Sequence, residues 1–157
     1  MSQLPIFSFQ SYSEQETEAF AIQIGRLLRV GDIVALVGDL GAGKSVTARA
    51  IIRFLCEDDA MEVPSPTFTL VQEYQTDKMN IWHSDLYRIE ESDEIYELGF
   101  EEALDHAALL VEWPDRLPAE FQEDCLVFTL KNDPKDKSRH ISLYGNQQWQ
   151  KRLEKRK

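Results

Sequence analysis

The sequence has few of the residues that mark specialised classes of protein. Its 157 residues include only two cysteines, seven glycines and six prolines, which excludes a disulfide scaffold, a collagen-like repeat and a low-complexity chain. Cys56 and Cys125 stand far apart and the three histidines are dispersed, so we predict neither a disulfide partner nor a zinc site. An apolar content of 43% is enough for one core, and we expect a single domain over residues 1–157.

Long hydrophobic runs and targeting segments are also missing. No apolar run approaches the roughly 18 residues that a membrane span requires. The first residues show no basic start before an apolar stretch, so neither a secretory signal nor a transit peptide is predicted. From the sequence we expect a cytoplasmic protein with no membrane contact.

Positive charge is scarce overall, with 17 Lys and Arg against 28 Asp and Glu and a net charge of −11. This balance excludes a surface devoted to nucleic-acid phosphates, because such surfaces depend on Lys and Arg. The distribution is uneven: residues 147–157 hold five bases and one acid, whereas residues 90–105 hold eight acids and no base. The basic tail is either a solubilising helix end or a contact for RNA or an acidic partner, and the acidic segment is either a solvated face or a docking face.

The apolar pattern predicts alternating helices and strands. Ser13 followed by Glu16 forms a capping box, and the spacing of apolar residues behind it predicts a helix to about Arg29. Residues 32–37 form a β-branched run typical of a strand buried on both faces, and residues 45–56 indicate a second helix. Further predicted strands are 67–74 and 79–83, paired as a hairpin, then 107–111, 125–131 and 139–144, before a helical tail.

The segment from Gly38 to Ser45 matches the phosphate-loop pattern G-x-x-x-x-G-K-[ST] and lies between a predicted strand and a predicted helix. We expect its glycines to take positive φ, so that successive N–H groups point into an anion site at the helix N-terminus. We therefore predict an α/β, P-loop NTPase-like three-layer fold whose mixed sheet has a parallel core and antiparallel additions. The predicted nucleotide-binding residues of this segment are Asp39, Leu40, Gly41, Ala42, Gly43, Lys44, Ser45 and Val46.

Two side chains of this loop suggest the ligand. The Lys44 ammonium suits the β- and γ-phosphates of a nucleotide, and the Ser45 hydroxyl suits one position of an octahedral Mg²⁺. Because the chain has no Asn-Lys-x-Asp string for guanine, ATP and ADP are favoured over guanine nucleotides. A plain glycine turn capping a helix is the alternative.

A magnesium nucleotide site also needs an acid at the end of a neighbouring strand. Glu112 ends the apolar run 107–111 in a Walker B arrangement and is the candidate for activating water. Asp85 follows the predicted strand 79–83 and is the candidate for the shell of the metal. Both carboxylates, with Ser45, are therefore predicted metal-site residues; ordinary surface acids at strand ends are the alternative.

Two further residues complete the predicted site. Trp113 directly follows Glu112 and offers a flat ring on which adenine could stack, although a core tryptophan beside Pro114 would look the same in sequence. Thr67, after two prolines, sits where a switch segment would contact the γ-phosphate. A small-molecule kinase is a competing interpretation, but Arg88 is the best available lid arginine and its support is thin.

The motifs of this chain resemble those of the TsaE (YjeE) family. They are the phosphate loop together with Ser65-Pro-Thr-Phe-Thr-Leu-Val-Gln-Glu-Tyr74, His83-Ser-Asp-Leu-Tyr-Arg88, Glu97-Leu-Gly-Phe-Glu-Glu102 and Val111-Glu-Trp-Pro-Asp-Arg-Leu117. Only the first is generic, and the resemblance spans most of the chain. The family often has Thr where this chain has Ser45 and a second Thr at Val46; serine keeps the hydroxyl needed for magnesium.

The resemblance implies a slow, partner-dependent, Mg-dependent ATPase of tRNA N6-threonylcarbamoyladenosine formation at position 37. Its catalytic residues would be Glu112, Lys44 and Asp85, with Thr67 in the switch and Trp113 against adenine. It would drive or reset a complex of the proteins TsaD and TsaB, and would meet tRNA indirectly through that complex. A nucleotide-gated binding module without essential hydrolysis is the alternative from another class.

Overall fold

The computed structural model describes residues 4–156. Its strands form one seven-stranded sheet in the order β1-β7-β6-β2-β5-β4-β3. The strands are β1 (Phe7–Ser11), β2 (Ile33–Val37), β3 (Val71–Gln75), β4 (Asn80–Asp85), β5 (Ala107–Glu112), β6 (Leu126–Asn132) and β7 (Arg139–Tyr144). The helices are α1 (Glu14–Leu27), α2 (Lys44–Leu55), α3 (Asp93–Glu97), α4 (Phe100–Ala103), α5 (Ala119–Gln122) and α6 (Gln147–Glu154), with a 3₁₀ turn at Pro114–Arg116.

The sheet has a parallel centre with antiparallel margins, as predicted. β2 pairs in parallel with β5 and β6, and β4 pairs in parallel with β5. β7 runs antiparallel to β6 and to β1, and β3 runs antiparallel to β4 as the second half of a hairpin. The carboxyl ends of β2, β5 and β4 therefore meet at one edge of the sheet, which is where parallel α/β sheets bind ligands.

Two separate apolar clusters show that helices cover both faces of the sheet. One cluster joins α1, α2 and α6 to one face, with Ile24, Ile51 and Trp149 almost fully buried. The other joins the short helices α3 to α5 to the opposite face, with Ile95 and Phe100 fully buried. The predicted three-layer α/β fold is therefore confirmed. Among the helices of residues 4–156, none has the length and apolar character of a membrane span.

The first two helices lie close to where the sequence predicted them. Ser13 caps α1 by accepting a hydrogen bond from the backbone N–H of Glu16 at 3.1 Å, as the capping-box pattern predicts. The strand predicted at 67–74 is shorter in the structure and begins at Val71. The reason is Leu70, which takes a left-handed φ of 68° and donates its N–H to the Pro66 carbonyl, so that residues 66–70 form a turn. β1, at the sheet edge, was not predicted.

The basic tail is folded onto the body rather than free. Arg152 of α6 forms a buried ion pair with Asp32, at 2.6 Å between Nη1 and Oδ2 and 3.2 Å between Nη2 and Oδ1. Arg156 lies over the Phe7 ring at 4.1 Å and donates to Gln23. Lys157 lies outside the described residues.

Candidate nucleotide site

The phosphate loop connects the end of β2 to the start of α2. Gly41 and Gly43 have φ of +81° and +113°, the left-handed values expected for a loop whose N–H groups turn towards an anion. At Gly38 the expectation of positive φ was wrong: a Cβ there would lie only 2.7 Å from the Leu130 carbonyl oxygen, so glycine is needed for close approach to β6. The loop is thus held against the strand next to its own.

Lys44 is almost fully buried in this loop, with 5% of its surface exposed. Its Nζ donates to the carbonyl oxygens of Gly38 and Asp39, and lies 4.0 Å from the centre of the Trp113 ring. Burial lowers the pKa of Lys44, while the negative charges of Glu112, Asp85 and Asp39 act in the opposite direction. The ammonium is therefore a desolvated cation held at the centre of the loop, where its attraction for an anionic ligand is weakly screened.

The two predicted carboxylates lie side by side. Asp85 ends β4 and Glu112 ends β5, and the two residues are direct partners in the parallel pairing of those strands. Both are buried, with 6% and 3% of their surfaces exposed. The Ser45 hydroxyl donates to Glu112 Oε1 at 3.4 Å, so the start of α2 reaches the predicted Walker B carboxylate. The three predicted metal-site residues thus lie at one edge of the sheet.

Hydrogen bonds to neighbouring residues fix the orientation of both carboxylates. Asp85 Oδ1 accepts the backbone N–H of Tyr87 at 2.9 Å, and its Oδ2 accepts the Thr67 hydroxyl at 3.3 Å. Glu112 Oε2 lies 2.6 Å from His83 Nε2, and both side chains are buried. Because a carboxylate only accepts, Nε2 carries the proton in this contact. The predicted switch residue Thr67 is therefore linked to the predicted metal ligand Asp85.

These residues line one cleft of about 250 Å³. Of the predicted site residues, all line it except Asp39 and Ala42; Ala42 is packed in the core, and Asp39 reaches Lys44 through its carbonyl. The lining residues are Leu40, Gly41, Gly43, Lys44, Ser45, Val46, Ser65, Thr67, Asp85, Glu112, Trp113 and Arg139.

Sequence reasoning assigned no role to three residues near this cleft. His83 precedes Asp85 by two positions on a strand, so both side chains fall on the same face of the sheet. This two-residue spacing could have indicated from the sequence that His83 lies near the site. Ser65 donates to or accepts from Thr67 at 2.7 Å. Arg139 begins β7, 94 positions after Ser45, and only the register of β7 on β6 brings it to the loop; the sequence carries no local signal for it.

Trp113 lines the cleft half-buried and has an unusual backbone. Its φ of 55° and ψ of 60° are left-handed, a conformation that bulky residues rarely adopt and that costs about 1 kcal/mol or more. The Tyr87 ring packs against it, with ring centroids 5.0 Å apart. The strained backbone turns the indole over Lys44, and stacking on adenine stays a prediction.

The phosphate loop lies between the parallel strand β2 and the helix α2, and carboxylates end β5 and β4, the next two strands in the sheet. This arrangement defines a P-loop fold. The crystal structure of YdiB from Bacillus subtilis has the same fold, with a TM-score of 0.74 and 24% identity over 94% of this chain and 91% of YdiB. A family model described as "Threonylcarbamoyl adenosine biosynthesis protein TsaE" matches residues 11–141. The chain belongs to the TsaE family.

Relatives from distant bacteria carry the same family name. The chain is 50% identical over 103 residues to a "tRNA threonylcarbamoyladenosine biosynthesis protein TsaE" of Rickettsia prowazekii, covering 66% of this chain and 71% of that protein. It is 39% identical over 104 residues to the protein of that name from Aquifex aeolicus, covering 66% and 74%. The family resemblance seen in the motifs is therefore confirmed.

Proposed function

We propose that this protein binds and hydrolyses ATP with magnesium as a component of tRNA N6-threonylcarbamoyladenosine modification at position 37. The observation that carries the proposal is the meeting of Lys44, Ser45, Asp85 and Glu112 at one cleft in a member of the TsaE family. Its role there is to drive or reset a complex of TsaD and TsaB. The chain would meet tRNA through that complex, in the cytoplasm.

The oxygen donors of the cleft suit magnesium. Ser45 supplies a hydroxyl, and Asp85 and Glu112 supply carboxylates beside it. The described residues contain no cluster of three or more acidic, histidine or cysteine ligands. Magnesium needs none, because it usually takes one or two protein ligands together with phosphates and water. When bound, it would offset the charge that develops on the β- and γ-phosphate oxygens.

The protein groups divide the remaining work. The loop amides and the Lys44 ammonium hold the phosphates, in a cleft where low exposure strengthens their attraction. The Glu112 carboxylate orients the attacking water and accepts its proton, while His83 holds Oε2 and thereby fixes the direction of Oε1. The contact between Thr67 and Asp85 links the switch segment to the metal side of the cleft.

Exposed apolar side chains around the cleft support a partner there. Leu40 lines the cleft and is 81% exposed, Phe68 follows Thr67 and is 81% exposed, and Tyr87 packs on Trp113 and is 61% exposed. Arg88 lies over the Phe68 ring at 4.7 Å. A partner seated on this rim would exclude water from the phosphates, so the chain alone is a slow ATPase.

The deciding experiment is ATP turnover by the purified chain with and without TsaD and TsaB. We expect weak turnover alone, a clear increase with the partners, and none in Lys44→Ala. Glu112→Gln should still bind ATP but lose turnover and tRNA modification. Modification that survives in Glu112→Gln would favour a nucleotide-gated binding module without essential hydrolysis. A phosphorylated metabolite formed along with ADP would favour a kinase.

A further inference from the structure

We propose that Arg139 is a further nucleotide-binding residue, whose guanidinium donates to a phosphate oxygen of the bound nucleotide. This inference rests on the proposed ATP binding. It adds to the site a second cation that comes from β7, an element outside the phosphate loop and outside the strands that carry the two carboxylates.

The placement of Arg139 follows from strand register. It is the first residue of β7 and pairs with Asn132 at the end of β6 and with Ser11 in β1. β6 is the neighbour of β2, so this end of β7 lies at the same sheet edge as the phosphate loop. Arg139 accordingly lines the same cleft as Lys44.

The guanidinium packs directly against the loop. A Cβ on Gly43 would lie 2.7 Å from Arg139 Nη1 and 3.2 Å from its Cζ, so the guanidinium lies against the loop backbone and would have to shift if a larger residue stood at position 43. Gly43 also caps α2, where the backbone N–H groups of the loop converge on the anion site. Arg139 therefore approaches the residue next to Lys44 from the side of β6 and β7.

The hydrogen bonds of Arg139 are incomplete. Its Nη1 is buried but has no hydrogen-bond partner among the described residues, and no carboxylate of that part of the chain lies within salt-bridge distance. Arg152 also has a buried nitrogen without a partner, Nε, but its charge is paired, because both of its terminal nitrogens donate to Asp32. A buried charged donor without a partner is unfavourable, and phosphate is the anion that guanidinium groups bind best. An anion in this cleft would supply the missing partner.

The test is ADP affinity, measured by calorimetry over a range of salt concentrations, in Arg139→Gln and Arg139→Lys. We expect Arg139→Gln to raise the Kd for ADP by about 10-fold or more, and Arg139→Lys to raise it less. The salt dependence of the Kd should become shallower in Arg139→Gln, because one charge no longer attracts the phosphates. Lys131→Gln, which removes an exposed base from neighbouring β6, is the matched control and should leave the Kd unchanged.

Two readouts separate phosphate contact from a structural role. Adenosine, which lacks phosphate, should bind equally to wild type and Arg139→Gln, and the melting temperature should hardly change. An unchanged Kd for ADP in Arg139→Gln would overturn the assignment, as would a weaker affinity that extends equally to adenosine or keeps the wild-type salt dependence. A wild-type protein that binds no ADP would instead overturn the proposed function, and this inference with it.

Discussion

His83 is a buried residue that sets the direction of the Glu112 carboxylate, the proposed base of the site. It holds Glu112 Oε2 at 2.6 Å, whereas Oε1 stays near the Ser45 hydroxyl at 3.4 Å. Without the imidazole the carboxylate would be free to rotate away from the position in which we propose that it orients the attacking water. Its effect on turnover should therefore be separable from any effect on nucleotide binding.

We predict that His83→Phe, which keeps an aromatic ring but removes the donor, lowers kcat for ATP by roughly 10-fold while the KM for ATP changes little, because groups that orient functional side chains typically contribute this much. Steady-state turnover with the partner proteins measures both constants. Thr129→Val, which removes a hydroxyl from β6 that donates only to the Ser142 carbonyl, is the control and should leave kcat unchanged. A His83→Phe variant with wild-type kcat would show that Glu112 keeps its direction unaided.

Cys125 makes the free energy of unfolding depend on pH in the alkaline range. Burial, followed by the nearby negative charge of Asp124, raises the pKa of this thiol from its ordinary value of 9.0 to about 12. Between those values the unfolded chain has lost the thiol proton and the folded chain has kept it. The free energy of unfolding must therefore fall as pH rises from about 9 to about 12.

We expect this thiol to contribute a slope of up to about 1.4 kcal/mol per pH unit in that range, and Cys125→Ala to lack it. Urea unfolding of both proteins at several pH values above 8 gives the slopes. The difference between the two slopes is the quantity to compare, since the alanine also leaves a small cavity. Equal slopes would mean that the folded protein does not hold the thiol protonated.

At the scale of elements, the sequence predicted the parts whose signals are local. The phosphate loop, the buried runs of β2 and β5 and the capping box at Ser13 all depend on neighbours within a few residues, and the structure has them where they were expected. β1 was missed because it is an edge strand of five residues that depends on pairing with β7, far along the chain. The place of Arg139 in the cleft was missed for the same reason, because long-range register determines it.

α6 is attached to the start of β2 by one buried ion pair. The two terminal nitrogens of Arg152 donate to Asp32, and Nη1 also donates to the Leu27 carbonyl at 3.2 Å. Removing one member of such a pair leaves the other charge buried and uncompensated, which destabilises proteins by about 3–5 kcal/mol. Two parts of the chain that are distant in sequence thus depend on each other.

We predict that Asp32→Ala lowers the free energy of unfolding by about 3 kcal/mol or more, and that Asp32→Leu combined with Arg152→Met recovers most of it. Chemical denaturation measures all three proteins. Lys151→Ala, which removes an exposed base from the same helix, should change the stability by less than about 0.5 kcal/mol. A loss below about 1 kcal/mol in Asp32→Ala would show that water reaches the guanidinium.

For the whole molecule, charge determines which partners the chain can engage alone. The net charge is −11, and the basic tail, the main local exception, has two of its arginines packed against the body. Lys151 and Lys155 are the exposed bases that remain on the described part of the tail. Two exposed bases release few counterions from RNA, whereas useful affinity at physiological salt takes several phosphate contacts.

We therefore predict that the isolated chain does not retain tRNA in a mobility-shift assay at about 0.15 M salt and micromolar protein, where even non-specific binders of nucleic acid are only partly bound. With TsaD and TsaB present, the tRNA should be retained, because the proposed contact is made by that complex. Substituting Lys151 and Lys155 by Gln should change neither result. The contradicting result would be salt-sensitive retention of tRNA by the chain alone that is lost in the double variant. It would show that the tail of this acidic protein contacts tRNA directly.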